Sequence, residues 1–319
     1  MHPAFSVIFL TTLIGVGQGL FLALFTAQSY SVFGLLPAQD GATFYAPGSL
    51  LALAFLGGGL VASFFHLGHP ERAWRAASQW RTSWLSREVI VLPVFIGAVA
   101  AYAASHWFGW RPVVASLPSG VAVDASLALG TAASLLAFAL FGCTAMIYAC
   151  LRFLREWHSP LTVVNYVLLG GASGFSLAAW FADAAAPALE GFFAGWALIL
   201  TALGLITRSA ALWRNARLPQ RSNLQTAIGV KHPQIAQKAQ GFTGGSFNTR
   251  EYFHGRTPAF LRRLRWAFLL AAFVAPLLLL AAGQSAAAFL VQYAGLLAER
   301  WCFFAEARHP QNLYYQSAA

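Results

Sequence analysis

Charge is what this chain of 319 residues has least of: 9% of its positions are Asp, Glu, Lys or Arg, while 58% are apolar. An ordinary soluble protein carries roughly 25% charged residues, so a deficit of this size excludes a water-facing surface over most of the chain. Cysteine is scarce too. Cys143, Cys150 and Cys302 include no C-x-x-C pair, which argues against an iron–sulfur cluster or structural zinc held by this chain. Cys143 and Cys150 fall in one apolar run at a spacing that puts them on one helix face, and two small thiols there are expected to pack rather than to form a redox pair. The first 30 residues lack a basic leading segment and stay apolar for too long to be a cleaved signal peptide, so the first helix is expected to remain. Missing as well is any ionisable residue at the centre of an apolar run, which a transporter or ion pump would need for its pathway.

Long apolar runs are what remains. A bilayer core about 30 Å thick is crossed by roughly 20 apolar residues of helix. Runs of that kind occur near 5–29, 48–67, 88–108, 125–150, 161–182, 188–207, 266–282 and 285–304. They predict an all-α, polytopic membrane protein of about eight transmembrane helices, arranged as two four-helix bundles. Only Gly283, Gln284 and Ser285 separate the last two runs, and one helix of their combined length would far exceed the bilayer, so a tight helical hairpin is expected there. The pairs Gly15/Gly19, Gly170/Gly174 and Gly191/Gly195 suit close helix packing in lipid.

The net charge of +10 is unevenly placed. Arg72, Arg75, Arg81 and Arg87 lie between runs 2 and 3, Arg152 and Arg155 between runs 4 and 5, and eleven Lys and Arg against one acid, Glu251, between runs 6 and 7. These loops fall on one face, which the positive-inside rule assigns to the cytoplasm together with both termini. The chain thus divides into helices 1 to 6 (1–207), a basic cytoplasmic loop (208–264), and helices 7 and 8 with a tail (265–319). The loop is too short and polar for its own core. Its centre, GFTGGSFNTREYF, mixes turn formers with aromatics and is expected to dock a partner.

The stretch from Phe64 to Glu88, FFHLGHPERAWRAASQWRTSWLSRE, carries the chemistry. Each residue in it has a structural use: Gly68 and Pro70 stop a helix, Glu71 and Arg75 pair at i,i+4, and Ser86 caps the next helix. A functional use stands beside these. His66 ends the second span, while Arg87 and Glu88 open the third, at one depth on the basic face. An imidazole can donate to a quinone carbonyl, and a carboxylate beside it can relay protons from water. Haem is disfavoured, because His66 and His106 lie near opposite ends of their spans and the other histidines fall outside them. Gln18, Asn165 and Tyr166 are expected to be satisfied by neighbouring helices.

The motifs HLGHPERAWRA, SWLSRE and GGSFNTREYF resemble the membrane anchor subunits of dimethyl sulfoxide reductase-type molybdopterin oxidoreductases, and the likeness covers nearly the whole chain. The resemblance implies an anchor without haem or metal of its own. It would hold a four-cluster ferredoxin-like iron–sulfur subunit and a molybdopterin catalytic subunit at the membrane, and exchange electrons with ubiquinone or menaquinone. It also implies quinone-binding roles for His66 and, around it, Gly68, Arg72, Arg75, Arg87 and Glu88. The cytoplasmic placement of the long loop and the closing stretch ERWCFFAEARHPQNLYY resemble the sulfite-oxidising, cytoplasm-facing branch of the family. The alternatives are a sulfoxide reductase anchor fed by menaquinol and, outside redox chemistry, a transporter or scaffold.

Overall fold

The computed structural model describes residues 3–116, 122–219, 223–235 and 257–309. The helices run in chain order as α1 (Phe5–Val32), α2 (Ala46–Phe64), α3 (Trp84–Trp107), α4 (Ala125–Ala149), α5 (Pro160–Ala185), α6 (Glu190–Ala216), the short α7 (Leu224–Ile228), α8 (Pro258–Ala281) and α9 (Ser285–Ala305). A π-helical turn, Gly41–Tyr45, leads into α2, and a second, Leu270–Val274, lies within α8. Two short antiparallel strands, β1 (Val113–Ser116) and β2 (Ala122–Asp124), link α3 to α4.

Seven of these helices are long and apolar enough to cross a membrane. The eighth crossing expected from the sequence corresponds to α9, whose 21 residues include Gln292, Glu299 and Arg300. A helix of that length spans about 31 Å at 1.5 Å per residue. All three polar side chains are buried in the protein rather than turned to lipid. Exposed tryptophans mark the two ends of the bundle, Trp107 and Trp110 at one and Trp74, Trp213 and Trp266 at the other, as expected where amphipathic rings meet the membrane–water boundary.

Helices α1 to α4 pack on one another, α5, α6, α8 and α9 form a second group, and the seam between the groups is α1 against α5. Glycine makes that seam possible. A Cβ placed on Gly19 would run into the Gly170 backbone, and one on Gly174 into the backbone of Gly19 and Leu20, so the two helices touch main chain to main chain. Gly191 and Gly195 face open space instead. That pair fits the spacing rule but has no helix opposite it among the described residues. The hairpin between α8 and α9 turns at Gly283, whose φ of 72° suits a residue without a Cβ.

Helix α6 runs on to Ala216, past its expected end at 207, and this carries Arg208 into the protein interior. Cys143 is buried, but Cys150 caps the end of α4 and is exposed, so the two thiols do not share an environment. The expected docking motif GGSFNTREYF lies outside the described residues.

Candidate functional site

Five helices meet at the end of the bundle where α1, α3 and α5 begin and α4 and α9 finish. Helix α3 starts at Trp84, capped by the Ser83 side chain accepting from the Ser86 N–H, so the cap is Ser83 and not Ser86. This start places Glu88 one turn inside the bundle, where it is 9% exposed. Its carboxylate accepts a hydrogen bond from Thr144 Oγ1 on α4. Beside it lies a cavity of about 30 Å³, lined by Thr11, Gln18, Ser173, Tyr166 and Arg300 as well as Glu88 and Thr144. That volume admits one or two waters. It is too small for a quinone ring.

Arg300 also lines a second cavity of about 10 Å³, as does Tyr166. Here α9 and α6 bring together a buried ionic chain. Arg300 Nε donates to Glu299 Oε2 at 2.6 Å, Arg208 Nε lies 2.6 Å from Glu299 Oε1, and Arg208 reaches toward Glu306, which is also paired with Arg265 at 2.7 Å. Arg208, Glu299 and Arg300 are all at most 5% exposed. The Arg208–Glu299 approach is close in distance but not aligned as a hydrogen bond, so Arg208 Nε and Glu299 Oε1 keep hydrogen-bonding capacity to spare. Arg300 also stacks its guanidinium over the Tyr166 ring, 4.3 Å from the centroid. The Tyr166 hydroxyl lies within reach of both the Arg300 guanidinium and the Tyr148 hydroxyl, but neither it nor Arg300 Nη1 makes an aligned hydrogen bond among the described residues. Of the three polar residues expected to be satisfied by neighbouring helices, Gln18 donates to the Ala137 carbonyl and Asn165 accepts from Thr207, while Tyr166 lies against Arg300 of α9 and Tyr148 of α4.

The other residues singled out from sequence lie farther out. His66 sits in the turn that follows α2, its side chain exposed, with Gly68 beyond it. Partial loss of hydration in this turn lowers the imidazole's pKa from its ordinary value. Arg72 and Arg75 ride on an exposed 3₁₀ segment, Pro70–Gln79. Within it Glu71 pairs with His69 at 3.0 Å and Arg72 at 3.6 Å rather than with Arg75, because a 3₁₀ turn does not align residues four apart. Arg87 braces this connector by donating to the carbonyls of Trp80 and Arg81 and lies over the Trp84 ring. The structure thus gathers His66, Arg72, Arg75, Arg87 and Glu88 at one end of the bundle. Of these, Glu88 alone lines an interior cavity.

Sequence reasoning missed Arg208, Glu299, Arg300 and Tyr166 as site residues. Their signal was the E-R pair inside an otherwise apolar run and an arginine just beyond the end expected for α6.

Likeness to known proteins runs through the whole chain. A family model described as "DMSO reductase anchor subunit (DmsC)" matches residues 1–305. The C subunit of the sulfite dehydrogenase from Allochromatium vinosum is 58% identical over 326 aligned positions, covering 100% of both chains. With seven apolar spans and a family match that runs from the first residue through the last helix, this chain belongs to the DMSO reductase anchor subunit family.

Proposed function

We propose that this anchor exchanges electrons with membrane quinone for a sulfite-oxidising molybdopterin complex docked at its basic end, which faces the cytoplasm. In this reading the molybdopterin partner converts sulfite and water to sulfate, two electrons and two protons. An iron–sulfur subunit passes the electrons to the membrane face, where a quinone takes up two electrons and two protons to become quinol. The 58% relative, named for sulfite dehydrogenase, favours this direction over sulfoxide reduction.

What carries the reading is an exposed imidazole and a buried carboxyl at one end of the bundle: His66 in the turn after α2, and Glu88 one turn inside α3 beside a water-sized cavity. The headgroup would lie on the outer side, where His66 has room for it. A neutral imidazole there can donate its N–H to a quinone oxygen. Glu88, bonded to Thr144 and open to water behind, would supply protons from inside the bundle. The exposed cations Arg72, Arg75 and Arg81 present the docked partner with a positive surface.

Replacing His66 by Leu in the assembled complex tests this. Quinone-linked turnover should fall by roughly 10²-fold, the usual scale for losing a positioned acid–base group, while dye-linked activity of the molybdopterin partner is kept. Equal loss of both activities would make His66 an assembly residue and overturn the assignment.

A further inference from the structure

We infer that protons reach the Glu88 carboxyl by a wet route through the bundle between α5, α6 and α9, gated by the Tyr166 hydroxyl and Arg300. The inference rests on the quinone reading above and names the path that reading leaves open.

The route is built from two cavities that share two lining residues, Tyr166 and Arg300. The outer one, about 10 Å³, is bordered by Glu156 and Asn215, both only half-buried at the basic end of the bundle, and by the inner residues Asn165, Arg208 and Glu299. The inner one, about 30 Å³, ends at Glu88. Roughly 10–15 Å³ of such space holds one water when polar partners surround it, so the outer cavity suits a single water and the inner one or two. The Tyr166 hydroxyl and Arg300 Nη1 are buried without an aligned hydrogen bond, the hydroxyl lying within reach of Arg300 and Tyr148, and Arg208 and Glu299 beside the outer cavity pair with each other. Buried polar atoms are rarely left without a partner, and water in the adjoining space supplies one here.

Charge supports the same reading. The ionic chain holds three arginines, Arg208, Arg265 and Arg300, against two glutamates, Glu299 and Glu306. Arg265 is 42% exposed, so the buried members balance at two arginines and two glutamates. Arg300 is the member that shares a cavity with Glu88, which puts a cation on the wall of that cavity. A phenol hydroxyl between two water sites both accepts and donates, so Tyr166 can pass a proton inward without ionising. For each quinone reduced, two electrons come from the docked partner and two protons cross this route in succession.

The test uses the whole complex in vesicles, with short-chain ubiquinone and menaquinone analogues as probes. Tyr166→Phe removes the hydroxyl but keeps the ring beneath Arg300. Ala211→Val narrows the outer cavity, which Ala211 lines, without removing a polar group. Assembly is checked by co-purification of the partner subunits, and quinone binding by equilibrium dialysis. Both variants should bind quinone as the parent does and reduce it about tenfold more slowly or worse, a loss at the lower end for an acid–base step. Their solvent deuterium isotope effect on quinone reduction should rise above that of the parent, because proton delivery has become limiting. Unchanged rates and isotope effects in both variants, with quinone still bound, would overturn the route and leave the quinone reading standing. A parent complex that neither binds nor reduces either analogue would overturn both.

Discussion

At the end of the bundle where α3 begins, the interior holds arginines and glutamates next to space for water; at the end where α3 finishes, neutral side chains hand hydrogen bonds on to a single carboxylate, Asp124. There Tyr102 donates to Gln28 at 2.8 Å, Gln28 to Ser126 at 2.7 Å, and Ser126 to Asp124 at 2.8 Å. His106 is the exception beside this chain: rings pack on it, 4.8 Å from Tyr45 and 4.5 Å from Tyr102, while its two buried ring nitrogens have no hydrogen-bond partner among the described residues. The hydrogen-bond chain stitches α1, α3 and α4 together with each donor used. Fully paired neutral groups fasten helices at little cost. Buried arginines and glutamates are a costly way to fasten helices, since desolvating them can exceed what their pairing returns. Among the described residues they occur at one end only, the end at which quinone chemistry is proposed.

Breaking each end in turn should expose this difference. Glu299→Gln leaves Arg208 and Arg300 without their shared anion in the protein interior, and losing one partner of a buried ion pair costs about 3–5 kcal/mol. The expected result is poor assembly, read as a lowered thermal transition of the purified complex. Glu88→Gln should be far milder for folding, because an amide oxygen can still accept from Thr144, yet quinone-linked turnover should drop by about 10²-fold. At the opposite end Gln28→Leu strands the Tyr102 hydroxyl and Ser126, for a loss of about 1–3 kcal/mol, with quinone-linked turnover per assembled complex unchanged. If Gln28→Leu slowed quinone reduction as Glu88→Gln does, the division of labour between the ends would be wrong.

Much of this was legible in the sequence, and the reasons differ by feature. Apolar runs near 20 residues gave the helices because lipid leaves the backbone no other partner than itself. Gly283 between two such runs gave the hairpin. The connector from His66 to Glu88 was legible through its charges, but its conformation was not: a 3₁₀ segment and an α-helix tolerate the same Pro-Glu-Arg start, and the choice rests on packing that residues 70–79 do not encode alone. The ionic chain stayed hidden for a related reason. Glu299 and Arg300 look like the frayed end of a span until α6 is seen to continue through Arg208, and the partners are some ninety residues apart in sequence. Gly191 and Gly195 mislead in the opposite way, since the small-residue spacing is present but the facing helix is not.

The smallest effect is expected at the end where α3 finishes, at the start of the span that includes α2. Asp40 caps the π-helical turn that leads into it, with Oδ1 accepting from both the N–H and the hydroxyl of Thr43 at 2.9 Å. The Thr43 backbone N–H, then its side chain, holds the Asp40 pKa below its ordinary value of 3.8. A carboxyl depressed in this way adds stability above the unfolded-state pKa and loses it as pH falls through the lower folded value. Asp40→Asn should therefore match the parent in strong acid and fall slightly below it at neutral pH, since asparagine caps nearly as well but lacks the charge that favours a helix N-terminus. Thermal transitions of the two complexes across pH would show this as curves that converge toward acid. A gap that widened in acid would mean that the Asp40 charge opposes this end of the bundle, and the hydrogen-bond chain beside it would then need another anchor than the cap.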